Sequence, residues 1–487
     1  MSGASLYLQS LPDWFATYAV VSYIVALIGV NIVYSEYATE WYFWVFGIVW
    51  VAGFFFLSVK CSRDWSILHV RKSKAFEKKL FGLALALRVL YAIFIHYFYI
   101  EMTGYPFEFG FADSEGYADT AKWLVDQWTD GMFIATLTEL AETSFSDMGY
   151  PLFILLPIKW FDRELALLVI RIIHAVIGAY TVVIIYRIAR RSMDETTARI
   201  ASIFCMLHPV LICYVGITLK ETLMTWLLVL FIDMGDRMLR SRNYSFFSIA
   251  PMVVLGLLLF LFRTVLGMIA FMAIFFALVM IDSKIVSFGK KIILGTLVVG
   301  ILLMSASERI MHEVHEITHA DVKGQQQTSL EYRYGEKKGG KGFSGNSWAK
   351  YTGTTVFAPL IFTIPFPTLV DLGFQQDMRL IHGGNWMRNV MSGFVILAMF
   401  MLLLTGDWRR YTLPLALMLG YLVMLAFTQF AHSLRFHIPV MPFEMMFAAY
   451  AITNMRKKHR NWYAVWCIVM VVACFAWNWF KLKGRGL

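Results

Sequence analysis

An acidic motif in the first long polar segment of the chain has the residue types of a general base. The run at 111–118, Phe-Ala-Asp-Ser-Glu-Gly-Tyr-Ala, places Asp113, Glu115 and Tyr117 close together and opens a stretch with helical apolar spacing. A carboxylate held at the boundary between membrane and water can accept a proton from a hydroxyl group. The alternative is plain solvation, because the whole segment 101–149 is rich in acidic residues.

A second group of ionisable residues lies near the ends of apolar segments. Lys220 and Glu221 open one apolar helix, Arg263 is isolated in a long apolar run, and His432 and Arg435 precede a proline-containing span. A charge at the bilayer centre costs about 2.5–3.5 kcal/mol, so each of these residues is a candidate for function. We expect all of them on the side of the acidic segment, where cations beside acids would bind an anionic headgroup. Snorkelling of single side chains to the interface is the alternative.

A third motif matches the zinc-protease pattern H-E-x-x-H. His315, Glu316 and His319 have this spacing, and His312 extends the same helical face. No further ligand follows clearly, and the next residues are polar. We therefore assign no metal site. His315 and His319 are the weak candidates for metal ligands, and the alternative is that the motif is an exposed helical turn of a loop.

The elements that must position these residues are membrane-spanning helices. Of the 487 residues, 59% are hydrophobic and 16% charged, and the mean hydropathy is +0.62. A soluble domain carries about 25% charged residues, so soluble, collagen-like and disordered chains are excluded. The net charge of +10 is typical of basic cytoplasmic loops and is no argument for nucleic-acid binding. The five cysteines lie in or beside apolar runs and predict neither a disulfide framework nor a metal site.

Apolar runs predict an all-α polytopic membrane protein with about 13 transmembrane helices, judged by the length of ~20 residues that a span requires. Their continuity excludes an outer-membrane barrel. The first run lacks a basic region and a cleavage site before it, so we expect a retained span. The predicted runs are 14–33, 41–59, 80–100, 165–187, 196–213, 217–234, 246–263, 265–283, 291–304, 388–405, 412–428, 437–452 and 463–480.

Lysine and arginine define the expected orientation. The basic connection 60–79 and five later basic connections alternate along the chain and should be cytoplasmic. The loops 101–149 and 305–352 then face outward. Each is followed by a proline-broken apolar stretch, at 150–160 and at 356–370, which we interpret as re-entrant or surface-lying helices. Lys481 and Lys483 disagree with this pattern, because the alternation of loops would place them on the non-cytoplasmic side.

Over roughly residues 80–455 the chain resembles the GT-C superfamily of membrane glycosyltransferases, of the type of the protein O-mannosyltransferases and the lipid A aminoarabinose transferase. The resemblance is a series of elements in order, with no single decisive motif. The matching elements are Asp113, Tyr117 and Ala118 with the helix to Trp128; Gly149-Tyr-Pro-Leu-Phe153; Arg171 to Arg191; Ala201 with His208-Pro209; Glu221-Thr222; Arg263; and Arg435 with Pro439, Pro442, Ala448 and Ala449.

The resemblance implies a GT-C-like fold in four regions. Residues 1–79 are two additional spans with a basic cytoplasmic loop, and 80–304 are the catalytic transmembrane core with its first outer loop. Residues 305–387 are the second outer loop with a re-entrant or amphipathic segment, and 388–487 are the C-terminal spans. Many relatives lack the two additional spans.

The resemblance also implies an inverting glycosyltransferase with a polyprenyl-phosphate sugar as donor and a glycan, lipid or protein as acceptor. Asp113 and Glu221 would be catalytic, with Asp113 as the base. Glu115 and Tyr117 would support Asp113. No cofactor is required, although some relatives use a divalent metal, for which Asp113, Glu115 and Asp119 could supply oxygens. The residues implied to bind the donor phosphate are Lys220, Arg263, Arg435 and His432.

The expected location is a multi-pass protein of the plasma or inner membrane, or of the endoplasmic reticulum, with its active site on the non-cytoplasmic side. Three other functions stay open. A polysaccharide polymerase or ligase that uses lipid-diphosphate glycans would need a similar cationic site. A metalloprotease would use His315 and His319. A transporter or flippase would place charges near mid-span and repeat its halves, and neither feature is visible in the sequence.

Overall fold

The computed structural model describes the chain almost entirely as helices. Within the described residues there is no β-strand, and one isolated backbone bridge joins Ala38 to Val370. The protein is an all-α membrane protein, as the sequence predicted. The described residues are 10–67, 73–109, 112–242, 244–280, 360–372, 379–427, 433–455 and 460–483.

Seventeen α-helices are described within these ranges. Those of the first half are α1 (Asp13–Val33), α2 (Trp41–Ile67), α3 (Ser73–Thr103), α4 (Ala112–Thr129), α5 (Phe133–Thr143), α6 (Gly149–Trp160), α7 (Arg163–Ser192), α8 (Glu195–Leu207) and α9 (Pro209–Cys213). Those of the second half are α10 (Glu221–Ser241), α11 (Phe246–Phe260), α12 (Thr264–Met280), α13 (His382–Thr405), α14 (Thr412–Phe427), α15 (Leu434–His437), α16 (Met441–Asn454) and α17 (Arg460–Lys483).

Six of the described helices are long and apolar enough to cross a membrane, namely α1, α2, α3, α7, α13 and α17. Helices α8 and α9 with the turn after them make a seventh if the bent pair is one span. The helices α11 and α12 are apolar but shorter. The predicted span 291–304 lies outside the described residues. The protein is therefore a multi-pass membrane protein, and the count of thirteen stays a prediction.

The bend of 52° between α8 and α9 falls at His208-Pro209. Proline has no N–H and cannot continue the hydrogen-bond ladder, so the last carbonyl groups of α8 lose their helical partners. Arg88 of α3 replaces those partners. Its guanidinium donates to the carbonyl oxygens of Met206 and Cys205, at 3.2 and 3.1 Å. The buried Arg88 thus stabilises the bend between α8 and α9, after which the chain continues to α10.

Helix α7 lies at the centre of the bundle, packed against α3, α8 and α10, while α16 packs against α13 and α8. Asp162 and Asp194 are the N-cap residues of α7 and α8, and their side chains accept hydrogen bonds from backbone N–H groups of the first turns. Outside this bundle, α4 packs on α5 and α6. Helix α4 confirms the predicted amphipathic stretch, because it buries Ala118, Ala121 and Leu124.

The two proline-broken stretches differ in structure. Residues 150–160 lie in α6, so the helix expected there is confirmed. The described part of the second stretch, 360–370, was also expected to be helical, and that prediction is wrong. It is an irregular and mostly buried segment with Pro365 and Pro367 inside it, because prolines two positions apart remove the backbone donors that a helix needs.

Side chains of α13 and α17 bind the backbone of this irregular segment. Asn389 donates to the carbonyl oxygens of Thr363 and Pro365, and Asn478 binds Pro367 and Leu369. Buried irregular backbone is tolerated at membrane depth only with such internal partners.

Contacts assign several connections to one end of the bundle. Arg191 at the end of α7 binds Asp233 and Asp236 in the last turns of α10. Arg240 donates to the carbonyl oxygen of Arg410 at 3.0 Å. The basic connections after α7, α10 and α13 therefore meet at one end. Asp113 and Arg435 lie at the other end of α10, because Arg435 binds both Asp113 and Glu221, the first residue of α10.

Candidate active site

A cavity of about 570 Å³ lies between the segment 101–149 and the ends of the core helices. It is lined by Asp113 and Tyr117 of the acidic motif and by three of the predicted cations, which are far apart in the sequence. Its charged and polar lining residues are Asp113, Tyr117, Thr120, Ser144, Ser146, Asp147, Lys220, Arg263, Thr264, Tyr421 and Arg435. Its apolar lining includes Leu140, Phe262, Val265, Met424, Leu425 and Phe436.

Asp113 and Arg435 form an ion pair at the wall of this cavity, from Nη1 to Oδ2. Asp113 lies in the first turn of α4, and 61% of its side chain is exposed. Arg435 lies on the short helix α15, which ends before Pro439. The sequence predicted this convergence from residue types alone.

The loop before α4 fixes the position of Asp113. Ser114 donates its hydroxyl to the carboxylate of Glu108, which is buried. Burial raises the pKa of Glu108 above its usual range, against the lowering effect of the Ser114 hydrogen bond. Arg171 of α7 donates to the carbonyl oxygen of Pro106 at 2.6 Å. The loop is thus held on the core helix directly before the residue that faces the cavity.

Glu221, the first residue of α10, lies behind Arg435 and does not line the cavity. Its side chain is fully buried, and its Oε1 accepts from Nε of Arg435. Nη2 of Arg263 is 4.0 Å from the same oxygen. Oε2 has no hydrogen-bond partner among the described residues. Glu221 therefore holds two guanidinium groups next to each other, which is a positioning role.

Arg263 follows the turn between α11 and α12 and is held by two aromatic side chains. Its Nη1 donates to the hydroxyl of Tyr421 on α14 at 3.0 Å. Its guanidinium lies 4.4 Å from the ring centre of Phe436, a cation–π distance. The guanidinium plane is therefore fixed at the cavity wall before any ligand binds.

Lys220 lines the cavity, but its donors are used within the protein. Nζ binds the carboxylate of Asp147, the carbonyl oxygen of Phe262 at 2.6 Å and that of Ser146 at 3.4 Å. The sequence assigned Lys220 to a phosphate, whereas the structure shows it connecting the end of the outer loop to the α11–α12 turn. Three acceptors saturate the three N–H donors of an ammonium group.

Asp147 is the centre of this second cluster. It also accepts from the hydroxyl of Tyr117 at 2.8 Å. Burial acts to raise the pKa of Asp147, but the charge of Lys220 and the hydrogen bonds from Lys220 and Tyr117 outweigh it, so the pKa is lowered. Tyr117 has a raised pKa, mainly from burial and then from the Asp147 charge. At neutral pH Asp147 is therefore a carboxylate and Tyr117 a neutral phenol.

Other predicted residues are placed elsewhere. Glu115 points to Arg163, 3.5 Å away, and does not line the cavity. His432, His315 and His319 lie outside the described residues, together with the loop 305–352.

The carboxylates proposed for a divalent metal do not fit such a site. Asp119 pairs with the same arginine as Glu115, at 3.1 Å, and Asp113 pairs with Arg435. In the parts of the chain that the structure describes, no three potential ligands gather.

Comparison of the chain with protein-family models, with curated proteins and with solved structures finds no match. The function must therefore be argued from the cavity itself. Asp147 and Tyr421 were not singled out from the sequence. Asp147 lies two residues before the Gly149-Tyr-Pro patch, which is a signal that could have drawn attention to it.

The cavity places two guanidinium groups beside an exposed carboxylate. In the described part of the protein, Nη2 of Arg435 and Nε of Arg263 donate no hydrogen bond. Glu221 and Tyr421 hold the two guanidinium groups at the cavity wall, where these donors can bind an oxyanion. The exposed carboxylate of Asp113 lies beside them. A phosphate ester and a hydroxyl group are the natural pair of ligands for this arrangement.

Proposed function

We propose that the protein is a membrane glycosyltransferase that moves a sugar from a polyprenyl-phosphate donor to an acceptor hydroxyl. The observation that carries the proposal is the convergence of Asp113, Arg263 and Arg435 on one cavity. A volume of about 570 Å³ lies within the range of small-ligand sites.

The proposed reaction is a direct displacement at the anomeric carbon. The acceptor oxygen forms a bond to that carbon, and the bond from the carbon to the phosphate oxygen breaks. Asp113 takes the proton of the acceptor hydroxyl, and the electron pair of the broken bond leaves with the phosphate. Attack opposite the leaving group inverts the configuration. A phosphate ester leaves as an anion, so it needs charge neutralisation more than protonation.

Arg263 and Arg435 are the proposed phosphate ligands, with Glu221 and Tyr421 as their positioning residues. Arginine suits this role because its planar N–H groups match two phosphate oxygens at once. We assign Lys220 to the positioning of Asp147 and not to the phosphate, because its three donors already have acceptors.

The apolar lining supports a lipid-linked donor. Val265 of α12, with Met424 and Leu425 of α14, forms one side of the cavity, and both helices are strongly apolar. A prenyl chain could pack there while its phosphate reaches Arg263. A soluble nucleotide sugar would gain nothing from this surface.

We further propose a GT-C-like arrangement of about thirteen spans, with the cavity on the non-cytoplasmic side of a plasma, inner or endoplasmic reticulum membrane. The basic connections after α7 and α10 support this orientation, because lysine and arginine are retained on the cytoplasmic side. The division into regions 1–79, 80–304, 305–387 and 388–487 belongs to the same proposal.

The test is an assay in membranes that contain the protein and its natural acceptors. Synthetic polyprenyl-phosphate sugars are added, and the released lipid is measured by mass spectrometry. The expected product is the lipid monophosphate, formed by the wild type and lost in Asp113→Asn. Release of a lipid diphosphate from diphosphate-linked glycans alone would replace the proposal by a polymerase or ligase. Unchanged release in Asp113→Asn would remove Asp113 from the chemistry.

A further inference from the structure

Arg435 binds two carboxylates whose surroundings differ greatly. Its Nε binds Glu221, whose side chain is 0% exposed, and its Nη1 binds Asp113, whose side chain is 61% exposed. One guanidinium therefore connects the group that positions the cations with the group proposed as the base. The following inference rests on the proposed function.

The charges of this cluster balance before a ligand binds. Arg263 and Arg435 carry two positive charges, and Glu221 and Asp113 carry two negative charges. A phosphate that enters makes three anionic groups compete for two guanidinium groups. A phosphate that binds Arg435 through both terminal nitrogens needs Nη1 as well as Nη2, and Nη1 is already bound to a carboxylate.

Exposure decides which carboxylate is displaced. Glu221 is fully buried and already has one oxygen without a partner among the described residues. Losing Arg435 would leave this buried charge only the longer contact with Arg263, at 4.0 Å. Asp113 can exchange its arginine for water at small cost, since exposed ion pairs contribute little. A phosphate should therefore displace Asp113 and leave Glu221 in place.

We propose that Arg435 couples the two substrates by this exchange. In the resting protein Nη1 of Arg435 binds the carboxylate of Asp113 and occupies the oxygen that an acceptor hydroxyl would need. Binding of the donor phosphate moves Nη1 of Arg435 from Asp113 to a phosphate oxygen. Asp113 is then free to accept the proton of the acceptor hydroxyl. The base becomes available only when the donor is in place.

Product release returns the site to its first state. After transfer, Asp113 carries the proton of the acceptor and the phosphate stays on the two arginines. When the lipid phosphate leaves, Arg435 pairs again with Asp113. Asp113 gives the proton to water in this step. Donor before acceptor is then the compulsory binding order.

The test measures the accessibility of Asp113 without any transfer reaction. Full-length protein in lipid nanodiscs is mixed with farnesyl phosphate, and its binding is monitored by the thermal unfolding temperature. Carboxylates are then modified with excess water-soluble carbodiimide and glycine ethyl ester, and peptide mass spectrometry quantifies each site. Glu115, on the same helix but paired with Arg163, is the internal control, and farnesol is the ligand control without a phosphate.

We expect a several-fold increase of modification at Asp113 with farnesyl phosphate, and no change at Glu115 or with farnesol. In Arg435→Gln, modification of Asp113 should be high without ligand and insensitive to it. If that variant does not fold, the wild-type comparison alone decides. If farnesyl phosphate binds but modification of Asp113 is unchanged or reduced, the coupling is overturned. The proposed function is not affected by that result. If farnesyl phosphate does not bind, the proposed function fails as well.

Discussion

Asp113 and Arg435 are 322 positions apart in the sequence and form an ion pair at the cavity wall. The pair joins the amphipathic helix α4 of the first outer segment to the short helix α15 before α16. It therefore brings the proposed proton acceptor to the proposed phosphate site. The predictions below separate the contributions of the groups around this pair.

Replacement of Asp113 tests the proposed base. Asp113→Asn keeps the size of the side chain and removes proton acceptance, so we expect a loss of sugar transfer of about 10²–10⁴-fold. Glu115→Gln is the matched control, because Glu115 lies on the same helix and does not line the cavity. Its activity should stay near that of the wild type. Equal losses in both variants would indicate damage to α4 instead of lost chemistry.

Replacement of Tyr421 tests the positioning of Arg263. Tyr421→Phe removes the hydrogen bond of 3.0 Å to the guanidinium. A bond to a charged group contributes about 1.5–3 kcal/mol, so donor binding should weaken roughly tenfold or more. We expect a higher KM for the donor with a smaller change in kcat. Tyr97→Phe removes a hydroxyl from an exposed position of α3 and should leave both values unchanged.

Some residues of the cavity could be predicted from the sequence because of their side-chain type. Asp113, Arg263 and Arg435 are conspicuous because a charge near an apolar span needs a reason, and the helix that carries Asp113 follows from its apolar spacing. Asp147 could not be distinguished among the ten acidic residues of its loop. Its importance depends on Lys220, 73 positions away, and no local pattern encodes such a pairing.

Tyr421 and the segment 360–372 show a second limit of prediction. Tyr421 is one of 23 tyrosines and lies in an apolar helix, where a tyrosine usually means packing. The stretch 356–370 is apolar and was expected to be a helix, but its described part, 360–370, is irregular. Arg388, Asn389 and Asn478 stabilise that backbone by binding its carbonyl groups. Such partners come from tertiary packing.

The buried pair Arg388–Glu444 should be essential for folding. Arg388 of α13 donates to both carboxylate oxygens of Glu444, at 3.0 and 2.8 Å, and to the carbonyl oxygen of Ile364. Glu444→Gln removes the negative charge and leaves a buried guanidinium without its counter-ion, which costs about 3–5 kcal/mol. Thermal unfolding in detergent should show a large drop in Tm. Glu139→Gln, at an exposed site on α5, is the control and should show none.

Single cysteines test the proposed orientation. Thr138 of α5 and Lys78 of α3 are both exposed. A membrane-impermeant maleimide should label Thr138→Cys in intact cells, and Lys78→Cys only after permeabilisation. The native Cys61 is partly exposed while the other four cysteines are buried, so the background is a Cys61→Ser chain. Labelling of Lys78→Cys in intact cells would invert the topology and place the cavity on the cytoplasmic side.

The Lys220–Asp147 pair should give the protein a stability that depends on pH. The folded protein lowers the pKa of Asp147, and an unfolded aspartate has a pKa of about 3.9. The stabilisation is therefore fully present above about pH 4, and it is lost as pH falls through the lower folded value. We expect Tm of the wild type to exceed that of Asp147→Asn by a constant amount from pH 7 to 5. The difference should shrink on further acidification.

A double-mutant cycle separates this pair from other acid effects. In the Lys220→Met chain, the carboxylate of Asp147 loses its strongest partner while it stays half-buried. Asp147→Asn should then cost little or even raise Tm at pH 7, because a desolvated charge without a counter-ion is removed. The same loss of Tm in the presence and in the absence of Lys220 would mean that the two side chains do not stabilise each other. The backbone bond from Gly149 to Leu261, at 2.9 Å, would then be the more important link between the end of this loop and the α11–α12 turn.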